Sequence, residues 1–146
     1  MRIIVAGPRD WTDVHRVWKV LFDEIRRVDL LIQGGAAGVD AIAKDWAQRH
    51  YRSYTTFEAQ WDVYGAAAGP LRNKEMARCA ADTEGGLRPE PGRLIAFARE
   101  SGISTGTGNM IGQALAHGLE VKVFYEQGEG MTYTRPAKPP KRKSQR

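Results

Sequence analysis

The sequence predicts an α/β fold, a parallel sheet of about five strands with helices on both faces. Two observations carry that prediction. Short apolar runs rich in β-branched residues alternate along the chain with longer stretches whose apolar positions recur at helical spacing. Glycine or proline stands at most of the joints between them. Because crossovers between parallel strands are right-handed, every strand-to-helix turn then falls on one edge of the sheet.

The elements follow in order. Arg2 to Ala6 is a first strand closed by Gly7-Pro8, and residues 12 to 28 form a helix with Val14, Val17, Trp18, Leu21, Phe22, Ile25 and Val28 on its apolar side. Thr12 is its expected N-cap. Leu30-Leu31-Ile32 is a second strand stopped by Gly34-Gly35, and Val39, Ile42, Ala43, Trp46 and Ala47 mark a second helix ending near His50. Ser53 to Phe57 suits a third strand. A loop through Trp61 and Tyr64 leads to Pro70, placed in the first turn of a helix over 70–81. Residues 82–93 read as a surface loop, Leu94 to Phe97 as a fourth strand, 106–118 as a loop and helix, and Val121 to Tyr125 as a fifth strand. The body is thus expected over residues 1–126. Residues 127–146 hold three prolines and a basic cluster and read as a flexible tail.

Composition narrows the function classes. With 42% hydrophobic and 27% charged residues the chain is globular in balance, and no run approaches the roughly 18 apolar residues of a membrane helix. A single cysteine, Cys79, excludes an intramolecular disulfide and a cysteine-built zinc site. The N-terminus passes straight into a strand, so no secretion leader is expected and a cytoplasmic setting is. The net charge of +5 belongs to the tail: six of the 22 basic residues lie beyond Thr134, where no acid stands, leaving 16 against all 17 acidic residues before it, a net −1. A folded basic face for nucleic acid therefore cannot be argued from charge.

The glycines point to function. Gly7-Pro8-Arg9-Asp10, Gly34-Gly35-Ala36-Ala37-Gly38-Val39-Asp40 and Gly102-Ile103-Ser104-Thr105-Gly106-Thr107-Gly108-Asn109 occupy strand-to-helix turns, and Ala68-Gly69-Pro70-Leu71-Arg72-Asn73 opens a helix. Glycine lets backbone approach a ligand, and helix N-termini offer free N–H groups and partial positive charge. Several such turns on one edge make an anion-binding crevice. Neither a GxGxxG fingerprint nor a Gly-Lys-Ser/Thr loop occurs, which disfavours ordinary dinucleotide dehydrogenases and P-loop NTPases.

These blocks, Gly7-x-Arg9-Asp10-Trp11-Thr12-Asp13, Gly34-Gly35-Ala36-x-Gly38-x-Asp40, and Trp61-x-x-x-Gly65 with Ala68-Gly69-Pro70-x-Arg72-Asn73, closely resemble the YspA-like branch of the SLOG superfamily. The resemblance spans residues 1 to about 125. It implies a Rossmann-like nucleotide-binding domain related to lonely-guy phosphoribohydrolases and DNA-processing protein A, and members are common in phage genomes. It also implies binding of nucleotides or nucleotide-derived ligands, with pairing into a homodimer or higher homo-oligomer, and no cofactor. The fourth block departs from the pattern. Relatives carry a Pro-Gly-Gly-x-Gly-Thr loop followed, in the phosphoribohydrolases, by a catalytic glutamate; here Asn109 and Met110 follow Thr107. Neither can position water or stabilise an oxocarbenium-like charge.

The candidate ligand-binding residues are Gly7, Arg9, Gly34, Gly35, Gly38, Asp40, Arg72, Asn73, Ser104, Thr105, Gly106 and Thr107. Arg9 is placed for a bidentate phosphate contact or stands as an exposed loop arginine. Arg72 and Asn73 hold a second phosphate or a base edge, or simply start a helix. Asp40 accepts ribose hydroxyls or complements the helix dipole. Ser104, Thr105 and Thr107 cradle phosphate or cap the helix. Trp11 is expected to pack its loop onto the body, and Trp61 is left open between packing and stacking on a base. His15, His50 and His117 are too dispersed for a catalytic triad or a metal site. The leading expectation is non-catalytic capture of a nucleotide signal, as a sponge or sensor acting on a host defence. Two alternatives stand: an enzyme cleaving a nucleoside phosphate or ADP-ribose derivative through Asp40 or Glu100, and a single-stranded nucleic-acid binder that depends on the tail.

Overall fold

A computed structural model describes residues 1–87 and 91–133. Its elements are β1 (Arg2–Ala6), α1 (Val14–Glu24), β2 (Leu30–Gln33), α2 (Val39–Arg49), β3 (Tyr54–Thr56), α3 (Trp61–Tyr64), α4 (Ala68–Ala81), β4 (Arg93–Phe97), α5 (Thr105–Ala116), β5 (Glu120–Phe124) and β6 (Met131–Tyr133). The sheet runs β3-β2-β1-β4-β5-β6. β1 to β5 pair in parallel, and β6 returns antiparallel to β5. This is the doubly wound Rossmann-like order, in which the chain leaves β1 in one direction and resumes beside it with β4.

Alternation along the strands builds two cores. Ile3, Val5, Leu31, Ile95 and Phe97 point to one face, where they meet Val17 and Leu21 of α1 and Val39, Ala43 and Trp46 of α2. Ile4, Ile32, Leu94, Ala96, Val121 and Val123 point to the other, against Met76, Ala77 and Ala80 of α4 and Met110, Ile111 and Ala114 of α5. Both strand faces are therefore apolar, as a parallel sheet between helix layers requires.

Several boundaries differ from the expectation, each for a local reason. Asp13, not Thr12, caps α1, its carboxylate accepting from the Arg16 N–H at 3.1 Å. That helix stops at Glu24 because Ile25 is already extended, and Asp29 then accepts from the Arg26 N–H at 2.8 Å to turn the chain into β2. The stretch expected to loop through Trp61 and Tyr64 is helical: α3 is capped at Gly65, which turns the chain at a φ of +55°, and a 3₁₀ turn over Gly65–Ala67 then leads into α4, which starts two residues before Pro70. The folded body also runs past residue 126. Val121, Lys122 and Val123 of β5 pair with Tyr133, Thr132 and Met131, so this part of the expected tail is a sixth strand. Residues 134–146, with the basic cluster, lie outside the described residues. No helix among the described residues is long and apolar enough to cross a membrane.

Candidate functional site

The turn after β1 and the turn after β4 sit side by side, because β1 and β4 are neighbours whose helices lie on opposite faces. A crevice must open between them at the carboxyl edge. A cavity of about 530 Å³ occupies that place. Its wall takes Gly7, Pro8, Arg9 and Asp10 from the β1 turn and Ser104, Thr105, Gly106 and Thr107 from the start of α5. Gly69, Arg72, Asn73 and Met76 reach it at spacings of three and four, one face of α4, and Gly106, Asn109 and Met110 do the same from α5.

Arg9 is exposed and makes no hydrogen bond or ion pair among the described residues; its guanidinium carbon lies 5.5 Å from the centre of the Trp61 ring. Arg72 is half-buried and largely engaged. Its Nε donates to Asn73 Oδ1 at 3.0 Å, and its Nη1 donates to the carbonyls of Gly34 and Phe57. Burial pulls its pKa down, with the Asp40 charge opposing. Asn73 is buried and donates in turn to Asn109 Oδ1 at 3.0 Å, so a polar chain ties the β2 turn through α4 to α5.

Asp40 is 6% exposed, and its Oδ2 accepts from the N–H groups of Gly34 at 3.0 Å and Ala36 at 3.3 Å. Burial pushes its carboxyl up to about 6, against the pull of those amides and of Arg72 and Arg9. The glycine loop is thus closed on its own acid. Gly34, Gly35 and Gly38 do not line the cavity. Gly38 instead lets α2 approach the β1 turn: it takes a φ of +74°, and a Cβ there would run into the carbonyls of Pro8 and Arg9. Asp10 points the other way electrostatically, its carboxyl held below the usual range by the Arg99 guanidinium 3.0 Å away.

At α5, Ser104 is the N-cap, with its Oγ accepting from the Thr107 N–H at 3.4 Å and donating to Thr107 Oγ1 at 2.8 Å. The hydroxyls of Ser104 and Thr107 therefore serve the helix start. The N–H groups of Thr105 and Gly106 take no acceptor among the described residues, and both residues line the cavity. Glu100, the alternative carboxylate, lies outside the wall. Trp11 packs as expected, its ring 5.7 Å from Phe97 and its Nε1 donating to the Asp13 carbonyl. Met76, Asn109 and Met110 were absent from the candidate list; for Met76 the available signal was its place seven residues after Gly69 on one helical face.

Comparison with known proteins agrees with the motifs. The model of the YspA, cpYpsA-related SLOG family matches residues 1–64. The chain is also similar to the Gene 61 protein of Mycobacterium phage D29, 34% identical over 131 residues, which cover 84% of this chain and 95% of that one. A relative matched at that identity over nearly its whole length shares the fold and not only a motif. With the β1 to α2 blocks, the doubly wound order and a phage relative all in agreement, this chain belongs to the YspA, cpYpsA-related SLOG family.

Proposed function

We propose that the crevice between the β1 and β4 turns captures a nucleotide or nucleotide-derived molecule and releases it unchanged. The observation that carries the reading is the convergence on one cavity of the Arg9 guanidinium, which makes no hydrogen bond or ion pair among the described residues, and the two open N–H groups of Thr105 and Gly106. These groups share one preference, an anion such as a phosphate. Membership of a family associated with nucleotide binding or processing supports the same ligand class.

Capture rather than turnover is supported by how the carboxylates of the wall are used. Asp40 spends one oxygen on two loop amides, Asp10 is engaged by Arg99, and Asn109 and Met110 fill the positions where a catalytic acid is expected from the family pattern. A phage relative fits a protein that removes or senses a host signalling nucleotide during infection. One observation favours a second reading. A carboxyl with a pKa of about 6 facing the cavity is suited to general acid–base work, which would make Asp40 the centre of a hydrolase.

A thermal-shift series with mono-, di- and cyclic nucleotides, NAD and ADP-ribose, followed by chromatography of each ligand, separates the two. A ligand at a hundred times its Kd stabilises by about 2.7 kcal/mol, enough to move the midpoint by several degrees. Capture requires a shift with the ligand recovered intact and lost in Arg9→Ala. A new product peak that disappears in Asp40→Asn establishes the hydrolase instead.

A further inference from the structure

Trp61 differs from the other tryptophans. Trp11 and Trp46 are buried and Trp18 is largely covered, whereas Trp61 is 48% exposed while lining the cavity. Its indole rests against bare backbone: a Cβ at Gly69 would stand 3.1 Å from the ring and push it by a few tenths of an ångström. Above the ring lies the Arg9 guanidinium, which makes no hydrogen bond or ion pair among the described residues and acts on the Asp40 carboxyl only through space. A large apolar face is thus held in place, half open to water, and covered by a cation that the same cavity would draw to an anion.

We infer that Trp61 is the stacking face for the planar base of the ligand, and that Arg9 holds that place until binding. On capture the guanidinium moves from the ring to the phosphate, and the base takes over the indole. This rests on the capture reading and adds a substrate class to it. The wall residues nearest Trp61 along the chain, Ala66, Gly69 and Pro70, carry no side-chain donor or acceptor with which to read a base edge. Selection at this end therefore follows the area of the π-face: purines above pyrimidines, with adenine and guanine treated nearly alike.

The test is equilibrium binding of AMP, GMP, CMP and ribose 5-phosphate to the full chain and to Trp61→Phe and Trp61→Ala. In the wild type AMP and GMP should bind within about threefold of each other and about tenfold more tightly than ribose 5-phosphate, with CMP between, as expected for sequence-tolerant stacking. Trp61→Ala should remove most of that tenfold and leave ribose 5-phosphate within about twofold, and Trp61→Phe should keep a part of it, scaled to its smaller ring. If AMP and ribose 5-phosphate weaken equally in Trp61→Phe, the indole is only structural and the inference fails while capture stands. An unchanged AMP affinity in either variant overturns it as well. If neither these four compounds nor the di- and cyclic nucleotides, NAD and ADP-ribose bind the wild type, capture itself fails and takes this inference with it.

Discussion

Replacing Asp40 with asparagine separates the two things this side chain does, accepting hydrogen bonds and carrying charge. The amide oxygen of asparagine still serves the Gly34 and Ala36 N–H groups, so the loop keeps its closure. What disappears is a buried negative charge. Burial raises the carboxyl from 3.8 to about 6, which means the folded protein holds this proton more tightly than the unfolded chain does. The stabilisation that protonation provides is fully present below pH 3.8 and is lost as pH rises through about 6. Across the whole window that loss is about 3 kcal/mol, at 1.36 kcal/mol per pH unit. The asparagine variant loses nothing over the same range, since it mimics the protonated acid at every pH. Its stability relative to wild type should therefore rise by about 2 kcal/mol between pH 4 and pH 7.5. Urea unfolding of both proteins at several pH values measures the difference, and other carboxylates, Glu24 and Asp29 among them, cancel because both proteins contain them. A difference that stays flat with pH, or falls as pH rises, would show that the Asp40 charge is not penalised and would refute the account of the closed loop given above.

Three other outcomes follow from the same geometry. Gly38→Ala must place a side chain at a φ of +74° and against the carbonyls of Pro8 and Arg9, so it should cost about 3 kcal/mol or more, read from the urea midpoint. Asn73→Ala removes the acceptor of Arg72 Nε and the donor to Asn109 Oδ1 inside the protein, and should cost about 1–3 kcal/mol with the circular-dichroism spectrum unchanged. Arg99→Ala frees Asp10, whose carboxyl pKa should climb back toward its ordinary 3.8 in an NMR titration, with little change in stability because the pair is exposed.

The strands and long helices were legible because their signals are local. Ile3-Ile4-Val5 and Leu30-Leu31-Ile32 are β-branched or apolar runs closed by glycine or proline, and the turns between strand and helix share an edge by handedness alone. Two kinds of feature were not. Met131-Thr132-Tyr133 is too short to show alternation; it pairs with β5, and just ahead of it Gly130 sits where a Cβ would meet the Phe124 ring. Trp61–Tyr64 is a single four-residue turn, too short to show helical spacing, and it is capped at Gly65, whose φ of +55° turns the chain toward α4.

The loop from Gly34 to Asp40 shows why the site was only half legible. Glycines ahead of a helix, with an acid one turn in, are the pattern of a chain that bends close to a ligand, and equally of a chain that bends close to itself. Spacing cannot choose between them. The choice lies in whether something else fills the acid's hydrogen-bonding capacity, and here Gly34 and Ala36 do so. The carbonyl of Gly34 is meanwhile taken by Arg72, so both polar groups of that residue are spent within the fold. Under the proposed capture the loop therefore acts as a rigid support behind the cavity that fixes Arg72 and backs the β1 turn. Holding the anion falls to Arg9 and to the first turn of α5, where the open groups are. That division makes a testable distinction between the glycine blocks: changes in the 34–38 loop should register first in stability, and changes at Arg9 first in binding.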